Sequence, residues 1–303
     1  MTQKIDENIT ELIFEDDREI LKVAKKSITP KCDFWFKKIF GEHKDICKDF
    51  IESITGLHIN TLEYGNTESL GNSYRTKKIL FDVNVKLDNG MRVNIEMQVE
   101  DLDENVDRFA LYATRYHSDQ LKSGQTYKDV TKTIVIHVFD YIFLDKERYK
   151  NHINLYQLLH VTEHTLLSDT LDVFVIELPK LPEIWHNENE KWLSWLNDRE
   201  NAVKKGVTMQ NQHIANAESI YNTIANDPIT QMEYVSVLKA EYREKAKMHD
   251  VEMKGIAKGK MEGIAEGERK KTLEFARKLK AKNSSIEEII EFTGLTKEQI
   301  DAL

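Results

Sequence analysis

From Lys78 to Glu100 the chain reads KILFDVNVKLDNGMRVNIEMQVE, and two alternations meet at its turn. Ile79, Phe81, Val83, Val85 and Leu87 are apolar, while Asp82, Asn84 and Lys86 point the other way. After the turn Met91, Val93, Ile95, Met97 and Val99 are apolar against Arg92, Asn94, Glu96 and Gln98. A period of two on both sides of a turn signal predicts a hairpin with one buried face. A two-residue loop at Asn89-Gly90 would set Asp82 against Met97 and mix the two faces, which a half-buried sheet forbids. A three-residue loop, Asp88-Asn89-Gly90, pairs Leu87 with Met91 and leaves the left-handed position to Gly90. Val83 then faces Ile95, Phe81 faces Met97, Asn84 faces Asn94 and Leu80 faces Gln98. In that register Asp82 lies opposite Glu96.

Directly paired side chains sit about 4.5–5.5 Å apart at Cβ, so the two carboxylates repel. Such a pair shares a proton, holds a divalent cation, or sits on a solvated face beside surface Lys or Arg. If a cation is held, hard oxygen donors suit magnesium or manganese better than zinc.

Upstream, Asp33-Phe34-Trp35-Phe36-Lys37 opens a helix expected to run to Phe40 and end at Gly41, with Asp33 as its N-cap. A second helix is expected over about 43–55, a strand over 57–64 and a polar connector over 65–77. Downstream, 104–122 is helical, with Arg108, Tyr112 and Arg115 on one stripe and Phe109, Ala113 and Tyr116 towards another. Two arginines on one helix face either bind phosphate or salt-bridge to neighbours. The runs 133–139 (TIVIHVF) and 171–178 (LDVFVIEL) read as buried strands, with His137 a hydrogen-bonded core residue. Between them, 155–169 reads as a polar connector. His160 and His164 lack the HExxH context of a zinc site.

Together these residues carry a resemblance. Asp82, a turn and Glu96-Met97-Gln98 resemble the D…(D/E)-x-K core of the PD-(D/E)XK nucleases, with Gln98 in the lysine position. With the Asp-x(2)-Phe-Lys segment and the Arg/Tyr-rich helix, the chain is similar to the recombination-promoting nuclease (Rpn)/transposase family of that superfamily. The resemblance covers 31–183 well and the tail more loosely. It implies an α/β, restriction-endonuclease-like core, a mixed central β-sheet flanked by helices, with a helical C-terminal region. It further implies a Mg2+-dependent DNA endonuclease (manganese being the alternative ion), linked to recombination or mobile DNA. Asp82 and Glu96 would hold the metal, and Asp33 and Gln98 would complete the catalytic set. Arg108, Tyr112, Arg115 and Tyr116 would meet the substrate. No third acidic residue stands at a spacing that suits a DDE-type triad. Two rival readings remain, a silent nuclease-fold module that binds DNA or protein, and an interaction protein of antiphage defence.

The net charge of −9 argues against the whole chain as a polyanion binder, though local basic patches can still track phosphates. No apolar run reaches membrane-spanning length, and Cys32 and Cys47 lack zinc spacing, so a cytoplasmic protein with free thiols and no membrane partner is expected. The expected organisation is a helical lead-in over 1–29, a nuclease-like core over 30–182 and a helical region over 183–250 anchored by tryptophans. A Gly-rich, basic linker helix over 251–282 and a two-short-helix tail over 283–303 complete it. In the linker, Gly255, Gly259, Gly263 and Gly267 recur every four residues, which reads as flexible or self-associating. The basic run from Arg269 to Lys282 is the best local candidate for a nucleic-acid backbone. The C-terminal half is expected to support a homo-oligomer.

Overall fold

The computed structural model describes residue 20 and residues 28–66, 68–69, 79–80, 82–99, 105–121 and 124–303. The lead-in therefore lies almost wholly outside the described residues. By contacts the described residues divide into one compact unit up to 235 and a second over 236–303.

The first unit is built on a sheet. Its strands are β1 (Leu62–Tyr64), β4 (Val83–Leu87), β5 (Arg92–Gln98), β6 (Thr133–Phe139), β7 (Ile153–Leu159) and β8 (Leu166–Glu177), in the order β1-β4-β5-β6-β8-β7. The pairs β1·β4, β4·β5 and β7·β8 are antiparallel, whereas β5·β6 and β6·β8 are parallel. This is the expected mixed sheet. Two short strands, β2 (Glu68–Ser69) and β3 (Ile79–Leu80), pair with each other in a separate ladder.

The hairpin closes with the three-residue loop. Leu87 N donates to Met91 O at 2.8 Å, and Gly90, at φ 85°, donates to Leu87 O at 2.9 Å. Val83 faces Ile95 and Asn84 faces Asn94. The pairing of Leu80 with Gln98 is corrected, because Leu80 instead faces Glu68. A continued ladder would offer the Met97 N–H to the carbonyl of residue 81. The Asp82 carboxylate takes that N–H, at 3.0 Å, so the ladder ends at Val83. Phe81 itself lies outside the described residues.

Helix α1 (Asp33–Phe40) buries Trp35, Phe36, Ile39 and Phe40, and α2 (Lys44–Thr55) buries Ile46, Cys47, Phe50, Ile51 and Ile54. Both show the three-and-four spacing of a single apolar face. They cover one side of the sheet with Val83, Val85, Val93, Ile95, Ile134, Ile136 and Val138. Helix α3 (Asn105–Ser118) serves the opposite side, where Ala113 and Tyr116 meet Val135. The segment read as a polar connector is β7 and its turn. Leu155, Leu158 and Leu159 are about half exposed along this edge strand, so their apolar character carries no buried alternation to mark it.

The helices after residue 183 join the same core. Helix α4 (Glu188–Asn197), α5 (Arg199–Lys204), α6 (Val207–Gln210) and α7 (Gln212–Asn226) contribute Trp192, Leu193, Trp195, Leu196, Ala202, Val207, Ile214 and Ala217 to the cluster under the sheet. Trp192 packs on Phe40, Phe50 and Trp195, and its indole N–H donates to Asp49 at 2.7 Å.

Helix α8 (Pro228–Ala281) is a single 54-residue element that carries all four repeated glycines without a break. Each glycine costs about 1 kcal/mol against alanine. Good helix formers lie between them, and i,i+4 pairs such as Lys258–Glu262 and Lys270–Glu266 help offset that cost. In the second unit α9 (Ile286–Thr293) and α10 (Lys297–Asp301) start with the capping boxes Ser285/Glu288 and Thr296/Gln299. They pack Ile289 and Ile300 on Ala276 of α8.

Replacing Trp192 with alanine empties a fully buried site and removes one of the hydrogen bonds to Asp49, which keeps that from Asn211. The expected loss of stability is about 3–5 kcal/mol, read by urea unfolding with circular dichroism. A loss below about 1 kcal/mol would mean that α4 is only loosely attached to the sheet.

Candidate active site

Asp82 and Glu96 are locked together through the main chain. Asp82 Oδ2 accepts from Met97 N at 3.0 Å, and Glu96 Oε1 accepts from Asp82 N at 3.3 Å. Each carboxylate thus hangs on a backbone amide at the other residue's end of the hairpin. Glu96 Oε1 also accepts from the Asn94 side-chain amide at 2.8 Å, and Asn94 is fully buried. Alternation places Asn94, Glu96 and Gln98 on one face of β5, away from core residues Val93, Ile95 and Met97.

From the other side α1 contributes an ammonium group. Lys37 Nζ lies 2.8 Å from Asp33 Oδ1, 2.9 Å from Asp33 Oδ2 and 3.1 Å from Asp82 Oδ1. The expected N-cap role of Asp33 is corrected here. Cys32 is the N-cap, without a side-chain bond, and Asp33 is the first helical residue, its carboxylate taken by Lys37 one turn on.

Gln98 ends β5 opposite Phe139, and its carbonyl accepts from Asp140 N at 3.0 Å. Asp140 in turn pairs with Lys31 at 2.6 Å. Gln98 therefore sits at the carboxyl ends of the parallel strands, where open α/β sheets commonly bind ligands.

Of the residues expected to meet substrate, Tyr116 is buried, and its hydroxyl donates to Asn84 Oδ1, two residues from Asp82. Tyr112 packs beside the Tyr116–Val135 cluster, and Arg115 Nε lies 4.0 Å from Asp119. The Arg108 side chain lies outside the described residues. The structure therefore brings Asp33, Asp82, Glu96 and an unpredicted Lys37 into one network. It ties α3 to the same hairpin face through Tyr116. Lys37 left two traces in the sequence, its i,i+4 spacing from Asp33 and its place in the Asp-x(2)-Phe-Lys segment, and Asn94 left only its place on the Glu96 face.

The electrostatics follow from burial. Desolvation, then the Asp33 charge, raises Asp82 to about 6 even though Lys37 opposes this. Desolvation, then the Asp82 charge, raises Glu96 to about 8. Burial works against the Lys37 charge, but the Asp82 and Asp33 carboxylates more than offset it and push the lysine up to about 12. Two acidic groups that prefer their protons and a lysine that keeps its own form a site short of positive charge.

Among the described residues, no three His, Cys, Asp or Glu side chains converge as a ready-made metal cage. The donor set still fits a hard divalent ion. Magnesium is usually held by one or two carboxylates, with water and substrate phosphate completing the shell. Glu96 Oε2 accepts no hydrogen bond among the described residues, and Asp82 Oδ1 faces only the lysine.

A pH dependence follows. Both carboxylates have folded pKa values above their unfolded ones, so the folded chain retains protons that the unfolded chain releases. Their stabilisation is complete below about pH 4 and is lost as pH rises through about 6 and 8. In chelator-treated buffer, wild type should lose on the order of 1 kcal/mol more than Glu96→Gln between pH 5 and pH 8. Parallel unfolding curves for the two proteins would show that Glu96 is not held in its acid form.

No curated protein and no solved structure matches the chain. The family model described as a PD-(D/E)XK nuclease family transposase matches residues 30–251, the span that holds the sheet, the carboxylate network and helices α1 to α7. The chain belongs to the PD-(D/E)XK nuclease family transposases.

Proposed function

We propose that the chain is a metal-dependent DNA endonuclease that hydrolyses phosphodiester bonds, with Mg2+ as the working ion and Mn2+ as a substitute. The observation that carries this reading is the Asp82–Glu96 interlock. Two carboxyl groups are held side by side at the end of the hairpin by each other's backbone amides, a pairing that a divalent cation would neutralise.

Asp82 and Glu96 would hold the ion, which when bound polarises the phosphoryl oxygen and makes a nucleophile of bound water at neutral pH. Asn94 fixes the rotamer of Glu96 through its 2.8 Å hydrogen bond. Gln98, a neutral amide at the strand end, can orient a water but brings no charge to it. Arg108 and Arg115 of α3 would steady the phosphate, with Tyr112 beside them, while Tyr116 braces that helix against Asn84. The net charge of −9 puts the burden of DNA binding on local patches. Within the basic run, Lys270 and Lys278 pair with glutamates one turn back and Lys280 caps α10 through the Ile300 and Asp301 carbonyls.

Exposed Met248, Val251, Ile256, Met261 and Ile264 along α8 support a homo-oligomer through the C-terminal half. Among the described residues no helix is long and apolar enough to cross a membrane, and Cys32 and Cys47 are free thiols. These features suit a cytoplasmic role in recombination or on mobile DNA.

Nicking of supercoiled plasmid tests the reading. Wild type should cut with Mg2+ or Mn2+ and stop with chelator. Asp82→Ala and Glu96→Ala should each lose at least about 100-fold. Equal cutting by wild type and both variants would sink the assignment. Tight DNA binding without any cleavage would leave a silent binding module as the better reading.

A further inference from the structure

The family pattern places a lysine two residues after the glutamate, and here that position is Gln98. A lysine nevertheless reaches the site from a different element. Lys37 comes off α1 and touches Asp82 Oδ1 at 3.1 Å while both oxygens of Asp33 hold it at 2.8 and 2.9 Å. We propose that Lys37 is the lysine of this site, a cation that holds Asp82 while no divalent ion is bound. It is released towards the scissile phosphate when Asp82 takes up the ion. The inference rests on the nuclease reading above and names the group that supplies the charge missing at position 98.

Three observations carry it. The first is exposure. The Lys37 and Asp33 side chains are 39% and 53% exposed, and ion pairs at that exposure add about 0–1 kcal/mol. The weight of the lysine therefore falls on its other partner, Asp82, whose side chain is only 13% exposed. The nearby Lys31–Asp140 pair, 20% and 19% exposed, is more deeply set and has the character of a brace.

The second is chemistry. Lys37 Nζ lies within 3.1 Å of Asp82 Oδ1, and an oxygen engaged by an ammonium is less available to a metal. Ammonium and divalent ion therefore compete for Asp82, and occupation by one favours release of the other. The third is reach. Asp33 stands four residues back on the same helix and remains a tether when Asp82 is taken. The flexible stem of lysine then lets a compact charge turn towards a phosphate without moving the helix.

The test compares the full-length wild type with Lys37→Gln, Lys37→Arg and the double variant Lys37→Gln/Gln98→Lys. Mn2+ binding is measured by calorimetry and plasmid nicking under single-turnover conditions, with Asp82→Ala as the control that removes the ion site. Removing the competing ammonium should tighten Mn2+ by at least about threefold in Lys37→Gln and leave Lys37→Arg close to wild type. The same Lys37→Gln protein should nick about 100-fold more slowly, and Gln98→Lys should restore at least about tenfold of that loss.

Unchanged or weaker Mn2+ binding by Lys37→Gln would overturn the proposal, because the lysine would then be shaping the carboxylates rather than competing for them. Wild-type nicking by Lys37→Gln, or a slow variant that Gln98→Lys does not lift, would overturn it as well. If wild type binds Mn2+ but never cleaves DNA, the nuclease reading fails alone, and the affinity comparison still decides the place of Lys37.

Discussion

The structure depends on one exchange of hydrogen bonds at the end of a hairpin. Asp82 accepts the Met97 N–H, and Glu96 accepts the Asp82 N–H. The first ends the β4·β5 ladder by taking the amide that the next residue's carbonyl would use, and the second turns the freed backbone towards the glutamate. The register that allows both is set at the far end of the hairpin by Gly90, whose left-handed φ of 85° closes the three-residue loop. A slip of one residue would turn one strand over relative to the other, set Asp82 against Met97, and dismantle core and site together. Fold and site are therefore specified by the same turn.

The electrostatics of the pair are set by burial. Desolvation and the neighbouring acid charges outweigh the backbone amides, Asn94 and Lys37, so the pair holds its protons tightly. A fully paired site, like Glu177 with Lys180 at 2.6 Å and the Phe143 and Leu144 amides, has no such deficit. Glu177 is completely buried and its network pins the chain after β6. The two clusters separate the uses of a buried acid in this molecule, one satisfied for structure and one left short of cation.

How much was legible in the sequence follows the same physics. The run 133–139 coincides with β6 because a strand buried on both faces leaves a continuous apolar signature. The hairpin register was legible because only one loop length keeps its two faces pure. The two-short-helix tail was legible because α9 and α10 each open on a capping box, a purely local signal. Strand β7 was not legible, since an edge strand with half-exposed leucines lacks the contrast between faces on which periodicity depends. The fate of Leu80 was hidden because the ladder yields to a side-chain acceptor at Asp82, which no alternation encodes. Lys37 showed its partner on the same helix but not the one across the fold, because the approach of α1 to the hairpin is a tertiary event.

That approach is itself maintained from a distance. The inner face of α1 presents Phe36, Ile39 and Phe40 to a cluster that includes Phe50 of α2 and Trp192 and Trp195 of α4. Its outer face carries Asp33 and Lys37. Sliding one turn along the axis would displace the helix by about 5.4 Å, more than the 3.1 Å that separates Lys37 from Asp82. Aromatic packing of this density does not deform smoothly by such amounts. Helices α4 and α7 therefore bear on the carboxylate site through the core they share with α1. Trp192 anchors α4, α4 seats α1, and α1 sets the distance between an ammonium and the acid it meets.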